Sequence, residues 1–237
     1  MCGIAGFTGM LEARREIISR MMDRIVHRGP DMSGDYLGEG ITLGFRRLSI
    51  IDLSEAGRQP MTSSDGRYTV IFNGEIYNYR DIKAQLSARG HTFHSETDTE
   101  ALLHAYMEYG REMLDRLRGM FSFAVWDEAE HSLFCARDCF GIKPFYYYPM
   151  SDGGLIFGSE IKSFLEHPDF DKRLNPRSLR PYLTFQYSSE NETFFEGVYK
   201  LPPAHWLFWK DGRLETGRYW ETDFIPDRTK SLDEWIE

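Results

Sequence analysis

Met1-Cys2-Gly3-Ile4-Ala5-Gly6-Phe7 opens the chain. It is an apolar run broken by two glycines, which reads as a buried strand whose backbone lies close to packed neighbours or to a ligand. Removal of Met1 would leave Cys2 carrying a thiol and a free amine on one residue. A free thiol has a pKa of about 8.5 and an α-amino group about 7.7 to 8.0. Near neutral pH the amine can therefore take the thiol's proton, and no histidine is required. A single cysteine is more often a small buried hydrophobe than a nucleophile, so Cys2 needs corroboration from the rest of the chain.

At 237 residues the chain fits one large domain or two small ones, and at that size roughly 70 to 75 % of the unfolded surface can be buried. Lys and Arg number 28 and Asp and Glu 37, a net charge of −9. That balance repels phosphate backbones and anionic bilayers, so neither nucleic acid nor membrane is an expected partner. The 3 cysteines, at 2, 135 and 139, are too sparse and too odd in number for a disulfide framework, which points to a reducing cytoplasm. The apolar start lacks a basic flank, and no run of about 18 apolar residues occurs, so neither a signal peptide nor a spanning helix is expected. Asn191-Glu192-Thr193 spells a glycosylation acceptor that carries no weight without secretion. Cys135 and Cys139 have no second pair, and the histidines are scattered, so no metal is expected. Phosphate-loop and dinucleotide glycine fingerprints are absent. The aromatic content of 15 %, without a basic stripe, argues for packing rather than base stacking.

Along the chain, residues 12–28 place Ile17, Ile18, Met21, Met22, Ile25 and Val26 at three- and four-residue spacings, the pattern of an amphipathic helix. His27-Arg28-Gly29-Pro30-Asp31 ends it. Strands follow at about 34–38 and 41–50. Adjacent Arg46 and Arg47 point to opposite faces of the second, so at most one faces solvent. The other needs an anion, either an internal carboxylate or a substrate carboxylate held by the guanidinium fork. Residues 52–65 form a polar loop long enough to cover a site. A strand at 68–72 runs into Asn73-Gly74-Glu75-Ile76-Tyr77-Asn78, with Asn78 expected to cap a helix reaching Ala88 and stopping at Gly90. Asn73-Gly74 reads either as a tight turn or as a pair of neutral donors to a developing negative charge. Thr97 and Glu100 form a capping box for a helix over 100–109. Asp98, in its first turn, either favours the helix dipole or binds a substrate ammonium. Strands at 120–126, 132–136, 145–148 and 155–158 form a meander. Helices are expected at 159–167 and at 175–187, the latter with Pro176 in its first turn. A hairpin turns at Lys210-Asp211-Gly212. No domain boundary is evident before about residue 225.

Cys2-Gly3-Ile4-Ala5-Gly6, His27-Arg28-Gly29-Pro30-Asp31, Arg47-Leu48-Ser49-Ile50 and Phe72-Asn73-Gly74-Glu75-Ile76-Tyr77-Asn78 occur together and in order. So do Arg118-Gly119-Met120-Phe121-Ser122-Phe123-Ala124, Arg137-Asp138 with Gly141-Ile142-Lys143-Pro144, Ser159-Glu160-Ile161-Lys162 and Leu201-Pro202-Pro203. This set closely resembles the glutaminase domain of glutamine-hydrolysing asparagine synthetases, class II glutamine amidotransferases of the N-terminal-nucleophile hydrolase fold. The resemblance implies an α+β fold, a four-layer αββα sandwich of two antiparallel sheets, over residues 1–225. Residues 226–237 would begin the helix toward a synthetase domain whose Ser-Gly-Gly-x-Asp-Ser loop the sequence lacks, as in a fragment or truncated product. The resemblance further implies that Cys2 attacks the side-chain amide of L-glutamine once Met1 is removed, with Asn73 and Gly74 as the oxyanion hole. Arg47 would hold the substrate α-carboxylate, Glu75 and Asp98 its α-ammonium. Leu48, Ser49 and Ile50 would shape the pocket, and Arg28 and Gly29 would order it. No cofactor is implied for this domain; ATP and Mg belong to the synthetase domain, which with glutamine is the expected partner. A homodimer is compatible with the sequence. Aspartate is the family's ammonia acceptor, though close relatives amidate other carboxylates, and a non-catalytic docking remnant is the rival reading.

Overall fold

The computed structural model describes residues 1–48, 57–187, 191–224 and 229–236. Its strands are β1 (Gly3–Thr8), β2 (Met32–Gly38), β3 (Ile41–Arg47), β4 (Met61–Thr62), β5 (Tyr68–Ile76), β6 (Gly119–Asp127), β7 (Ser132–Arg137), β8 (Tyr146–Pro149), β9 (Leu155–Gly158), β10 (Tyr199–Lys200), β11 (His205–Lys210) and β12 (Arg213–Arg218). The α-helices are α1 (Arg14–Asp23), α2 (Tyr79–Ser87), α3 (Asp98–Tyr109), α4 (Pro176–Phe185) and α5 (Leu232–Ile236). One six-stranded sheet has the order β10-β8-β9-β1-β3-β2 and the other β12-β11-β7-β6-β5-β4. Every pairing within them is antiparallel.

Alternation along the strands builds the layers. Ile4, Leu43 and Phe45 of the first sheet meet Ile71, Ala124, Trp126 and Cys135 of the second, forming a core between the sheets. Ala5 and Phe7, one residue out of phase, pack beneath Ile17, Ile18, Met21 and Met22 of α1. Gly44 is what lets α1 lie that close, since a Cβ there would run into Ile18 and Met22. On the other sheet, Val70, Phe72, Phe121 and Phe123 point outward under Leu102 and Leu103 of α3 and Leu86 of α2. Helix, sheet, sheet and helix give the four-layer αββα sandwich that the resemblance implies. Among the described residues no helix is long and apolar enough to cross a membrane.

Several boundaries differ from expectation. The first helix spans Arg14–Asp23 and gives way to a 3-10 turn at Val26–Arg28, and 159–167 contains a 3-10 turn at Ile161–Glu166 rather than an α-helix. β5 does not stop at Phe72 to turn at Asn73-Gly74; it stays paired with β6 from Tyr68↔Asp127 to Ile76↔Gly119. Asn78 precedes α2 but makes no side-chain cap. Its amide instead bonds Arg116 O and Arg118 N, pinning the approach to β6. The short strands β4 and β10 carry too little pattern to be legible in sequence.

Candidate active site

The same alternation that fills the inter-sheet core aims polar groups into one end of it. Cys2 precedes β1 and sits in phase with Ile4, Arg47 ends β3 in phase with Phe45, and Asn73 and Glu75 follow Ile71 on β5. Cys2, Arg47, Leu48, Asn73, Gly74, Glu75 and Asp98 line one cavity there, and Met1 stands at it too. Arg46, one residue off, points the other way: it donates to Met22 O and pairs with Asp23 on α1 at 2.6 Å. Arg46 thus takes an internal carboxylate, while Arg47 lines the cavity.

The Cys2 thiol lies 3.7 Å from Leu48 O. Burial pushes it above its ordinary value, with the terminal ammonium and the Arg47 guanidinium pulling the other way. Asn73 is buried, and its Nδ2 has no hydrogen-bond partner among the described residues. In a protein interior such an orphan is costly and calls for an explanation. Gly74 has no room for a side chain because a Cβ would overlap the Met120 carbonyl across the ladder. The Arg47 guanidinium is buried under Gly57, where again a Cβ would collide with it.

Asp98 begins α3, with the Thr97 hydroxyl accepting from Glu100 N as its cap. The reciprocal half of the capping box is not made: the Glu100 carboxylate turns to His94 N and Ser95 N. Asp98 Oδ2 accepts from Ile76 N at 3.0 Å, tying the helix to the end of β5. Burial, reinforced by Glu75, pushes Asp98 up to about 6. Arg28 and Gly29 stand behind the cavity. Arg28 Nε donates to Cys2 O at 2.9 Å while its Nη1 pairs with Glu160. Gly29 packs against the Arg46–Arg47 peptide, where a Cβ would not fit. Ser49 and Ile50 lie outside the described residues.

Gly57, Gln59, Thr99, Met120 and Lys143 also line the cavity, and sequence reasoning gave them no part. Gln59 bridges two walls, accepting from Phe72 N and donating to Thr99 Oγ1. Nothing local announces such a role, since both partners are distant in sequence. Lys143 sits in the Gly141-Ile142-Lys143-Pro144 motif, yet the motif alone does not say that the side chain turns inward.

Two stacked antiparallel sheets between helices, with Cys2 lining a cavity at one end, make a sandwich of the N-terminal-nucleophile hydrolase type. A solved structure of a glutamine phosphoribosylpyrophosphate amidotransferase from B. subtilis has the same fold, with a TM-score of 0.69 at 18% identity over 92% of this chain and 49% of that one. The family model described as glutamine amidotransferase domain matches residues 1–220, and the chain belongs to that family. It is 41% identical to asparagine synthetase [glutamine-hydrolyzing] 3 of Bacillus subtilis over 100% of this chain and 39% of that protein. It is 37% identical to amidase chry2 of Gibberella zeae over 96% of this chain and 35% of that protein. The chain therefore spans about two fifths of the length of the curated relatives it matches.

Proposed function

We propose that this chain hydrolyses L-glutamine to glutamate and ammonia through a γ-glutamyl thioester on Cys2. The observation that carries the reading is the buried, unpartnered Asn73 Nδ2 beside Gly74 in the cavity that holds the Cys2 thiol. Arg47 binds the α-carboxylate, while Glu75 and Asp98 bind the α-ammonium. With Met1 removed, the free amine of Cys2 takes the thiol proton. Sγ then bonds to the carbonyl carbon of the side-chain amide, and the carbonyl pair moves onto an oxygen held by Asn73 Nδ2 and Gly74 N–H. The amide nitrogen accepts a proton and leaves as ammonia. Water attacks the thioester, restoring the thiol and giving the γ-carboxylate of glutamate. Arg28 serves by fixing the Cys2 carbonyl, and Gly29 by letting β3 lie close; Leu48, with Ser49 and Ile50, shapes the pocket wall.

Within a longer enzyme the ammonia is destined for ATP-dependent amidation of aspartate in a synthetase domain or subunit, and the similarity to a B. subtilis asparagine synthetase supports that acceptor. A second version, in which another carboxylate receives it, is equally open to a glutamine amidotransferase domain. A cytoplasmic setting belongs to the same reading. Met1-processed protein should release ammonia from L-glutamine, and Cys2→Ala should not. Equal rates in the two would leave a non-catalytic docking module as the better account.

A further inference from the structure

We infer that Lys143 is a catalytic residue of this site, whose ammonium stabilises the negative charge formed on the side-chain carbonyl oxygen of glutamine and retained on the γ-carboxylate of the product. The inference rests on the glutaminase reading. Lys143 is only 6% exposed, and it lines the cavity with Cys2, Asn73 and Gly74. Its ammonium has no hydrogen-bond or ion partner among the described residues. An unpaired ammonium on so largely buried a residue at a cavity wall is disfavoured, so the arrangement makes sense where an anion arrives.

The main chain holds Lys143 against the oxyanion wall. Asp138 Oδ2 accepts from both Lys143 N at 3.0 Å and Phe121 N at 3.2 Å, and Phe121 is the cross-strand partner of Gly74. Arg137 Nε donates to Lys143 O at 2.7 Å, fixing the other end of the residue.

Charge matching assigns the role. The α-carboxylate of glutamine answers Arg47, and its α-ammonium answers Glu75 and Asp98. The side-chain amide is neutral, so the ground-state complex offers Lys143 no counter-charge. One appears when the Sγ–C bond forms and the carbonyl pair moves onto oxygen, and again when water adds to the thioester. It persists in the γ-carboxylate. Lys143 neither gives nor takes a proton in these steps. An interaction made in the transition state but not with substrate raises kcat without lowering KM.

Lys143→Met keeps the stem and removes the charge. In Met1-processed protein it should lower kcat by about 10- to 100-fold, with KM for glutamine changed less than about threefold and the Ki of product glutamate raised about tenfold. Lys143→Arg should recover part of both losses, which a purely packing role would not produce. Calorimetric binding to Cys2→Ala separates this inference from the reading beneath it. Adding Lys143→Met should weaken L-glutamate about tenfold and L-glutamine little. Unchanged or equally weakened binding of the two overturns the role of Lys143 while leaving the glutaminase intact. Failure of Cys2→Ala to bind either ligand overturns both.

Discussion

Arg46 and Arg47 differ in nothing a composition scale can see, yet strand alternation sends one to α1 and the other to the cavity. A hydrogen bond to a charged group contributes about 1.5 to 3 kcal/mol. Steady-state kinetics of Arg47→Ala should therefore show kcat/KM reduced roughly ten- to a few hundred-fold, with Arg47→Lys restoring part because an ammonium lacks the bidentate fork. Arg46→Ala should leave kcat/KM within about twofold and cost about 1 kcal/mol of stability, because Asp23 is largely exposed. A larger kinetic loss at Arg46 would reverse the facial assignment. Asp98 carries a second test at this scale. Burial raises it from 3.8 to about 6, so ionising it costs the folded state roughly 3 kcal/mol. The corresponding stability is fully present below about pH 3.8 and is lost as pH rises through about 6. Asp98→Asn should consequently melt at a higher temperature than wild type at pH 7.5, with the gap closing toward pH 4. The same substitution removes an anion from the proposed ammonium site, so KM for glutamine should rise about tenfold or more. In the wild type, kcat/KM should fall as pH drops through about 6.

Elements show where sequence was sufficient and where it was not. The strands β1, β3, β6 and β7 were legible as short apolar runs because both of their faces are buried, and the helix α1 because burial on one side imposes period 3.6 on its apolar residues. Cys2, Arg47, the Asn73-Gly74 pair and Asp98 stood out because each is a polar or reactive stretch where an apolar or idle one is expected. Their convergence on one cavity could not be read locally, and the end of β5 shows why. Asn-Gly favours a turn on local propensity, but cross-strand pairing with Ser122 and Phe121 outweighs it and carries Asn73 to the cavity in extended backbone. Asn78 is a parallel case, its amide drawn from the helix to Arg116 and Arg118. Thr97 is the reverse, a cap visible in sequence and present in the fold. Thr97→Ala should lower stability by about 1 kcal/mol. It should also raise KM for glutamine while leaving kcat nearly unchanged, because the first turn of α3 carries Asp98. Hydrogen exchange at the start of α3 together with kinetics would check this, and an unchanged KM would uncouple the cap from the site.

At the scale of the whole molecule the chain passes between the sheets three times, after β3, after β7 and after β10. The first passage brings Leu48, Gly57 and Gln59 to the cavity and the second brings Lys143. Arg137 and Asp138 fasten the second and third together. Arg137 donates to carbonyls of Lys143 and Gly141 on one passage and of Leu201 on the other. The fully buried Asp138 carboxylate accepts from the N–H groups of Phe121, Phe140, Ile142 and Lys143, and its carbonyl accepts from Ala204 N. These contacts join one sheet to the other at the end where the site lies, so the sheets should not unfold separately. Asp138→Ala leaves four N–H groups without their acceptor, those of Phe121 and Lys143 buried, at a cost of about 3 kcal/mol or more. Thermal or urea unfolding of that variant should keep one transition at a lower midpoint, with tryptophan fluorescence and far-ultraviolet circular dichroism coinciding. Divergence of the two probes would mean that this clamp, rather than the inter-sheet core, is what makes the sandwich cooperative. Because Lys143 hangs from the same carboxylate, glutaminase activity should fall in Asp138→Ala even at temperatures where the protein remains folded.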